Sequence, residues 1–293
     1  DMAAQECDCD FVSSGQTVIP GPILKEIQDS SVIDPIEKRY NDDMWIWSHP
    51  QVNRKYMLSA DVARGDGSDY SAFHIIDLEN LEQVGEFKGK VDTTRYASIL
   101  IAVATEYNDA LLVVENNNVG WAVLQAIIDR DYKNLFWMKK DLKYVDSTHQ
   151  YTNKYRGENK AMIPGFTTSM KTRPLIVAKL EEFIRNNLIT VYSSRTINEM
   201  KTFIWRNGRP QAMKGYHDDL IMALAIACWV RDTAIQNSAR DLNYQRAFVD
   251  AIITSKTTMN TQIKGQIGYK KQESFDVYRL KWLYFYFNCS NFN

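Results

Sequence analysis

The chain has 293 residues, of which 45% are hydrophobic and 24% charged, and its formal net charge is −1. This composition is ordinary for a soluble globular protein with one large or two small domains. The near-neutral charge excludes a globally basic surface, so a nucleic-acid site has to be a local patch. The sequence also lacks an apolar run of about 20 residues, which a membrane helix needs.

The first 45 residues carry no long regular pattern, and Pro20-Gly21-Pro22 interrupts them. The chain begins at Asp1, without a methionine and in mid-pattern. We therefore expect the C-terminal part of a longer protein. We divide the chain into a linker over residues 1–45, a folded domain over residues 46–240, and a partly disordered C-terminal extension over residues 241–293.

The most informative stretch runs from Tyr56 to Asp77. Two apolar segments, Tyr56–Asp61 and Ser71–Asp77, flank a polar turn of residues that accept φ > 0 or bond their own backbone. A third strand is predicted over Gln83–Lys88. Asp61 ends the first, buried strand, where an ionised carboxylate costs several kcal/mol unless something pairs with it. A metal ion is a suitable partner.

Helices and strands then alternate. Apolar residues at helical spacing predict a helix from Thr93 or Thr94, one of them the N-cap, to Tyr107. Ala110–Glu115 is a continuously apolar strand that also ends on a carboxylate. A helix over Trp121–Arg130 and a fifth strand over Asn134–Met138 follow. The order predicts an α/β fold, a mixed five-stranded sheet with helices on both faces, in which Asp61 and Glu115 emerge side by side.

Residues 139–173 are irregular and basic, with eight Lys and Arg against three acids. Helices are predicted from Pro174 to Asn187, where proline suits the first turn, and over residues 194–204, with a short strand at 188–191 between them. A strongly apolar helix covers residues 219–231. It opens on Asp218 and Asp219, which it can bring to Asp61 and Glu115 if it packs across the sheet.

Carboxylates gathered in this way cannot all stay ionised without cations. Oxygen ligands select Mg²⁺ or Mn²⁺, and two such ions about 3.5–4 Å apart can clamp the attacking and leaving oxygens of a phosphodiester. We predict four residues as both catalytic residues and metal ligands, with Asp61 bridging two ions: Asp61, Glu115, Asp218 and Asp219. Which of the last two dominates stays open, and both could instead cap the helix.

Other polar residues are predicted around these ligands. Asp69 is either a turn residue or a neighbour that orients the ligands, and His217 is an orienting or capping neighbour. Basic side chains near this edge would grip DNA phosphates without reading sequence. The candidates are Lys160, Lys171, Arg173, Arg206, Arg209 and Lys214.

Three short motifs together resemble a known family. They are Ala60–Tyr70, Val114–Gly120 and Gly215–Leu220, and they resemble the C-terminal nuclease domain of the large terminase subunit of tailed bacteriophages, T-even type. Two further stretches resemble the same family: Gln5–Gly15, like its exit from an ATPase domain, and Gly165–Thr168 with Lys171.

This resemblance implies an RNase H-like fold and a metal-dependent endonuclease that cuts concatemeric viral double-stranded DNA during genome packaging. It implies Mg²⁺ or Mn²⁺ on Asp61, Glu115 and Asp218 or Asp219. The implied partners are DNA, an N-terminal ATPase domain, the portal and the small terminase subunit. The implied location is the packaging motor in the host cytoplasm, without a membrane.

Two alternatives remain at this point. One is a nuclease of the same fold that resolves Holliday junctions, and the other is a non-catalytic DNA-gripping module of a packaging motor. The chain holds no Gly-x-x-x-x-Gly-Lys-[Ser/Thr] loop, so we expect no ATPase activity from it.

Overall fold

The computed structural model describes residues 17–65, 67, 69–139 and 162–232. All of them lie within Asp1–Ile235, one of the two units into which the chain divides. The described helices are α1 (Gly21–Ser30), α2 (Thr93–Glu106), α3 (Gly120–Asp129), α4 (Thr172–Arg185), α5 (Ser194–Lys201) and α6 (219–232). The described strands are β1 (Glu37–Arg39), β2 (Met44–Ile46), β3 (Tyr56–Asp61), β4 (Ser71–Asp77), β5 (Glu82–Gly89), β6 (Leu111–Val114), β7 (Trp137–Lys139), β8 (Met162–Pro164), β9 (Phe203–Arg206) and β10 (Arg209–Ala212).

The central sheet is mixed and has the order β1-β2-β5-β4-β3-β6. Strands β3 and β6 pair in parallel, and the other neighbours are antiparallel. The prediction that the strand ending at Glu115 lies beside the strand ending at Asp61 is therefore confirmed. The two carboxylates leave the sheet at the same edge.

The sheet has six strands instead of the predicted five, and its membership differs. Strands β1 and β2 extend it beyond β5; β1 lies within the segment predicted as a linker, and β2 crosses the boundary between that segment and the predicted domain. The predicted fifth strand touches β6 only through a bridge from Leu135 to Leu112, and its end pairs with β8 as a separate ribbon. Three-residue strands are too short for their alternation to stand out from a loop.

Side chains alternate between the two faces of the sheet, and each face has its own core. On one face Leu58 and its neighbours pack under α2 and α3. On the other face Met57 and Ile76 pack with apolar residues of α1, α4, α5 and α6. Helices on both faces are thus confirmed, and α6 crosses the face next to β3.

Some element boundaries differ from the predicted ones for local reasons. Helix α2 is capped by Asp92 instead of Thr93 or Thr94, because its carboxylate accepts from the backbone nitrogens of residues 94 and 95 at 3.0 and 2.9 Å. Helix α5 ends at Lys201, since the chain turns directly into the β9–β10 hairpin. Residues 188–191 form a single bridge, Thr190 to Glu82, instead of a strand.

Among the helices of the described residues, none combines the length and apolar character needed to cross a bilayer. The predicted C-terminal extension, residues 241–293, lies outside the described residues, as does the motif Gln5–Gly15.

Candidate functional site

Asp61 and Glu115 meet where β3 and β6 end. The backbone nitrogen of Glu115 donates to the oxygen of Ala60 at 2.9 Å, which extends the parallel ladder up to the two carboxylates. The Asp61 carboxylate also accepts from the nitrogen of Val62 at 2.8 Å. Burial raises the pKa of Asp61 well above its usual range, and the negative charge of Glu115 raises it further.

The start of α6 brings two more carboxylates to this edge. Asp218 and Asp219 both contribute to the raised pKa of Asp61, so the negative charges act on one another. Asp219 is buried and accepts from the backbone nitrogen of Tyr70 at 3.4 Å, while His217 Nδ1 lies 3.7 Å from the same carboxylate. Burial raises the pKa of Asp219 to about 6, against the opposing effect of Lys88. Asp218 instead forms an ion pair with Arg173.

Polar contacts fix where α6 sits on the sheet. The Ser59 hydroxyl, from β3, donates to the oxygen of Ala223 at 2.8 Å. His74 Nε2, from β4, lies 2.9 Å from the oxygen of Leu220. Both side chains are buried, where unpaired polar groups are costly. The helix is therefore held in one register, which sets the position of its first turn relative to Asp61.

The first turn of α6 is capped from outside the helix. Glu199, in α5, accepts from the backbone nitrogens of Leu220 at 3.0 Å and Ile221 at 3.3 Å. Its other oxygen pairs with Lys88 at 2.5 Å. Burial raises the pKa of Glu199 to about 7, although Lys88 opposes the shift. Glu199 thus supplies cap contacts that the sequence left open as an alternative role for Asp218 and Asp219.

The loop after β6 holds the Glu115 side chain. Asn117 Nδ2 donates to Glu115 Oε1 at 3.0 Å and also to the backbone oxygen of Thr168. A Cβ on Gly120 would lie 2.0 Å from the backbone oxygen of Glu115, so only glycine allows this tight return into α3. The site therefore depends on a loop that folds back onto itself.

The four carboxylates have the chemistry of a divalent-ion site but not its placement. Within the described ranges, no group of three or more His, Cys, Asp or Glu side chains is placed to hold a metal ion as it stands. Each carboxylate has a protein partner instead: Asp61 accepts from the nitrogen of Val62 and Glu115 from Asn117 Nδ2, while Asp218 pairs with Arg173 and Asp219 accepts from the nitrogen of Tyr70. The chemistry of these four carboxylates still fits a hard cation, because all the donor atoms are oxygens and their negative charges repel one another.

The chain is similar in structure to solved nuclease domains of large terminases. The large terminase nuclease from thermophilic phage G20c, with bound magnesium, has a TM-score of 0.53 and 16% sequence identity, over 73% of this chain and 96% of that chain. The cobalt-bound form of the same nuclease has a TM-score of 0.52 and 16% sequence identity, over the same shares of the two chains. The chain has the RNase H-like fold of these nuclease domains. No protein-family model matches the sequence.

In this RNase H-like domain a cleft of about 450 Å³ opens beside Glu115. Residues from the loop before α4, the first turn of α4 and strand β10 surround it, among them Thr168, Arg173 and Arg209. Arg206 and Arg209 are exposed on the hairpin next to this cleft. The structure therefore places two predicted phosphate-binding residues, Arg173 and Arg209, directly beside a predicted metal ligand.

Three other predicted residues lie on the surface of the described part of the chain. Lys171, at the start of α4, and Lys214, before α6, are exposed, as is Asp69 in the β3–β4 connection. Lys160 lies outside the described residues.

Sequence reasoning missed Lys88, Tyr70, Asn117 and Glu199 as parts of this site. Asn117 carried a usable signal, because it lies two residues after the strand-ending Glu115. Lys88 and Glu199 carried none, since an isolated charge in a strand or short helix is usually solvated. Only the packing of α5 against β5 brings this pair together.

Proposed function

We propose that this chain is a metal-dependent nuclease that hydrolyses phosphodiester bonds of double-stranded DNA. The observation that carries the proposal is that carboxylates from three separate elements, the ends of β3 and β6 and the start of α6, approach one another closely enough for the others to raise the pKa of Asp61. The fold supports it, because the similar solved structures are terminase nuclease domains, one of them with bound magnesium.

Asp61, Glu115 and one or both of Asp218 and Asp219 would hold divalent ions, Mg²⁺ or Mn²⁺, and we propose two of them. Bound ions supply Lewis-acid stabilisation of the phosphate and an activated water nucleophile. We propose that Asp61, at the end of β3 between the end of β6 and the start of α6, would serve both ions. The cap from Glu199 holds α6, and with it the third carboxylate, in place.

The basic side chains would hold the DNA backbone. Arg173 and Arg209 border the cleft beside Glu115, Lys171 and Arg206 are exposed next to residues that line it, and Lys214 is exposed before α6. Such contacts grip phosphates without reading bases, so we propose a nuclease with little sequence preference. Lys160 belongs to the same proposal on its sequence position alone.

The biological setting is part of the proposal. We infer an endonuclease that cuts concatemeric viral DNA during genome packaging, at the packaging motor in the host cytoplasm. Its partners would be an ATPase domain, the portal and the small terminase subunit. The three sequence motifs and the terminase nuclease fold support this setting.

The direct test is nicking and linearisation of supercoiled plasmid with EDTA, Mg²⁺ or Mn²⁺. We expect cutting only with metal. In Asp61→Asn the nicking rate should fall more than about 100-fold, because losing a ligand costs at least as much activity as losing a residue that orients a ligand. Glu79→Gln is the charge-matched control, since this carboxylate is 55% exposed just after the other end of β4. Metal-dependent cutting by folded Asp61→Asn at the wild-type rate would contradict the proposal.

A second candidate is a non-catalytic DNA-gripping module, which is favoured by the protein partners that all four carboxylates already have. Such a module would bind duplex DNA equally well with EDTA or Mg²⁺ and would never nick it. The same assay with a four-way junction distinguishes a resolvase, which would cut the junction in preference to linear duplex.

A further inference from the structure

Arg173 holds an ion pair at the border of the carboxylate cluster. It lies in the first turn of α4, and its Nη2 donates to Oδ2 of Asp218. Its Nε donates to the backbone oxygen of Pro210, in β10, at 3.1 Å. The side chains of Arg173 and Asp218 are 30% and 24% exposed, so water screens the pair only in part. The guanidinium is thus fixed between β10 and the start of α6.

The same guanidinium also borders the cleft beside Glu115, together with Arg209 and Thr168. A guanidinium forms its strongest pairs with planar or tetrahedral oxyanions, and a carboxylate and a phosphate compete for the same N–H groups. Arg173 therefore stands between a carboxylate proposed as a metal ligand and a cleft proposed for a DNA phosphate.

We propose that Arg173 is an exchangeable counterion: it neutralises Asp218 in the metal-free chain and pairs with a DNA phosphate in the cleft when a divalent ion takes Asp218. This inference rests on the proposed function and adds to it a coupling between metal and DNA binding. The bond from Nε to Pro210 fixes one side of the guanidinium, so its Nη groups can change partner without the residue leaving its place.

The exchange has two consequences for binding. A metal ion has to displace Arg173 from Asp218, so Arg173 weakens metal binding in the absence of DNA. A phosphate that receives the displaced guanidinium recovers this loss, so metal and DNA strengthen each other's binding. Thermodynamic reciprocity requires the factor by which DNA tightens metal binding to equal the factor by which metal tightens DNA binding.

The first experiment measures Mn²⁺ binding to the chain without DNA, by calorimetry and by the EPR signal of free Mn²⁺. We expect Arg173→Gln to bind Mn²⁺ about five- to tenfold more tightly than wild type. Arg209→Gln removes the same charge from the same cleft without touching Asp218, and we expect its Mn²⁺ affinity to stay within about twofold of wild type. Arg173→Lys, which keeps the charge, should remain close to wild type.

The second experiment measures binding of a short fluorescent duplex in EDTA by anisotropy. Asp218→Asn releases Arg173, so we expect it to bind the duplex about fivefold more tightly than wild type. Asp219→Asn removes an equal charge but leaves the ion pair intact, and it should gain less. Adding Arg173→Gln to Asp218→Asn should remove the gain.

Equal Mn²⁺ affinities in Arg173→Gln and Arg209→Gln would overturn the exchange, as would equal gains in Asp218→Asn and Asp219→Asn. Circular dichroism identifies a variant that fails to fold; if Arg173→Gln is such a variant, the comparison of Asp218→Asn with Asp219→Asn decides. If wild type binds Mn²⁺ and nicks plasmid but Arg173→Gln has the Mn²⁺ affinity of wild type, the exchange is wrong and the proposed nuclease function stands. Absence of Mn²⁺ binding in every variant would remove the proposed metal chemistry as well.

Discussion

Tyr96→Phe removes one hydroxyl from a fully buried ring and tests how firmly the end of β3 has to be held. The Tyr96 hydroxyl, from α2, donates to the backbone oxygen of Ala72 at 2.8 Å and reaches that of Asp61 at 3.1 Å. It therefore ties together the ends of β3 and β4 at the point where Asp61 leaves the sheet. The substitution leaves the packing of the ring unchanged.

The expected loss follows from the burial of these groups. A hydrogen bond between uncharged groups contributes about 1 kcal/mol net, and a buried carbonyl left without a partner costs about 1–3 kcal/mol. We expect the free energy of unfolding to fall by about 2 kcal/mol, which corresponds to about 4–8 °C in Tm for a domain of this size. Asp61 also loses a restraint on its backbone, so we expect the nicking rate to fall by about tenfold.

The assay combines urea unfolding, followed by tryptophan fluorescence in EDTA, with nicking rates at a temperature where every variant is folded. Tyr132→Phe is the matched control. Its hydroxyl also donates to a backbone oxygen, that of Ala110 at 2.6 Å, at the opposite end of β6 from Glu115. We expect it to lose stability but keep its nicking rate. An equal loss of nicking in both variants, or no loss of stability in Tyr96→Phe, would refute the reasoning.

Two further predictions concern Glu199 and Gly120. Because the pKa of folded Glu199 is raised to about 7, the folded chain binds a proton that the unfolded chain has released between about pH 4.5 and 7. The free energy of unfolding of wild type relative to Glu199→Gln should therefore fall by up to about 3 kcal/mol as pH rises through this window. Thermal melting of both proteins in EDTA at several pH values checks this. A relative stability that rises with pH would contradict it. Gly120→Ala places a Cβ 2.0 Å from the Glu115 oxygen and should lower stability by about 1–3 kcal/mol and reduce nicking. Gly67→Ala meets no atom within 4 Å, so its melting temperature should change far less; equal shifts in the two variants would disprove the steric argument.

The sequence by itself determined the centre of the fold and two of its carboxylates. The strands that end at Asp61 and Glu115, and the helix that begins beside Asp219, were recognisable because hydrophobic periodicity is written within a few neighbouring residues. The parallel pairing of β3 with β6 followed from the order of the elements, and with it the shared edge. The roles of these residues as metal ligands stay predictions.

Only the tertiary structure decided which charges are paired around that edge. Lys88 and Glu199 are 111 residues apart in the chain, and Arg173 and Asp218 are 45 apart. No local pattern encodes such pairs, because they depend on how α5 and the start of α4 pack against the sheet and the start of α6. The place of the short strands β1 and β2 in the sheet was missed for a related reason, since three-residue segments are stabilised by the neighbouring strand more than by their own sequence. Local periodicity thus placed the carboxylates at one edge, and long-range packing determined the protein partner of each.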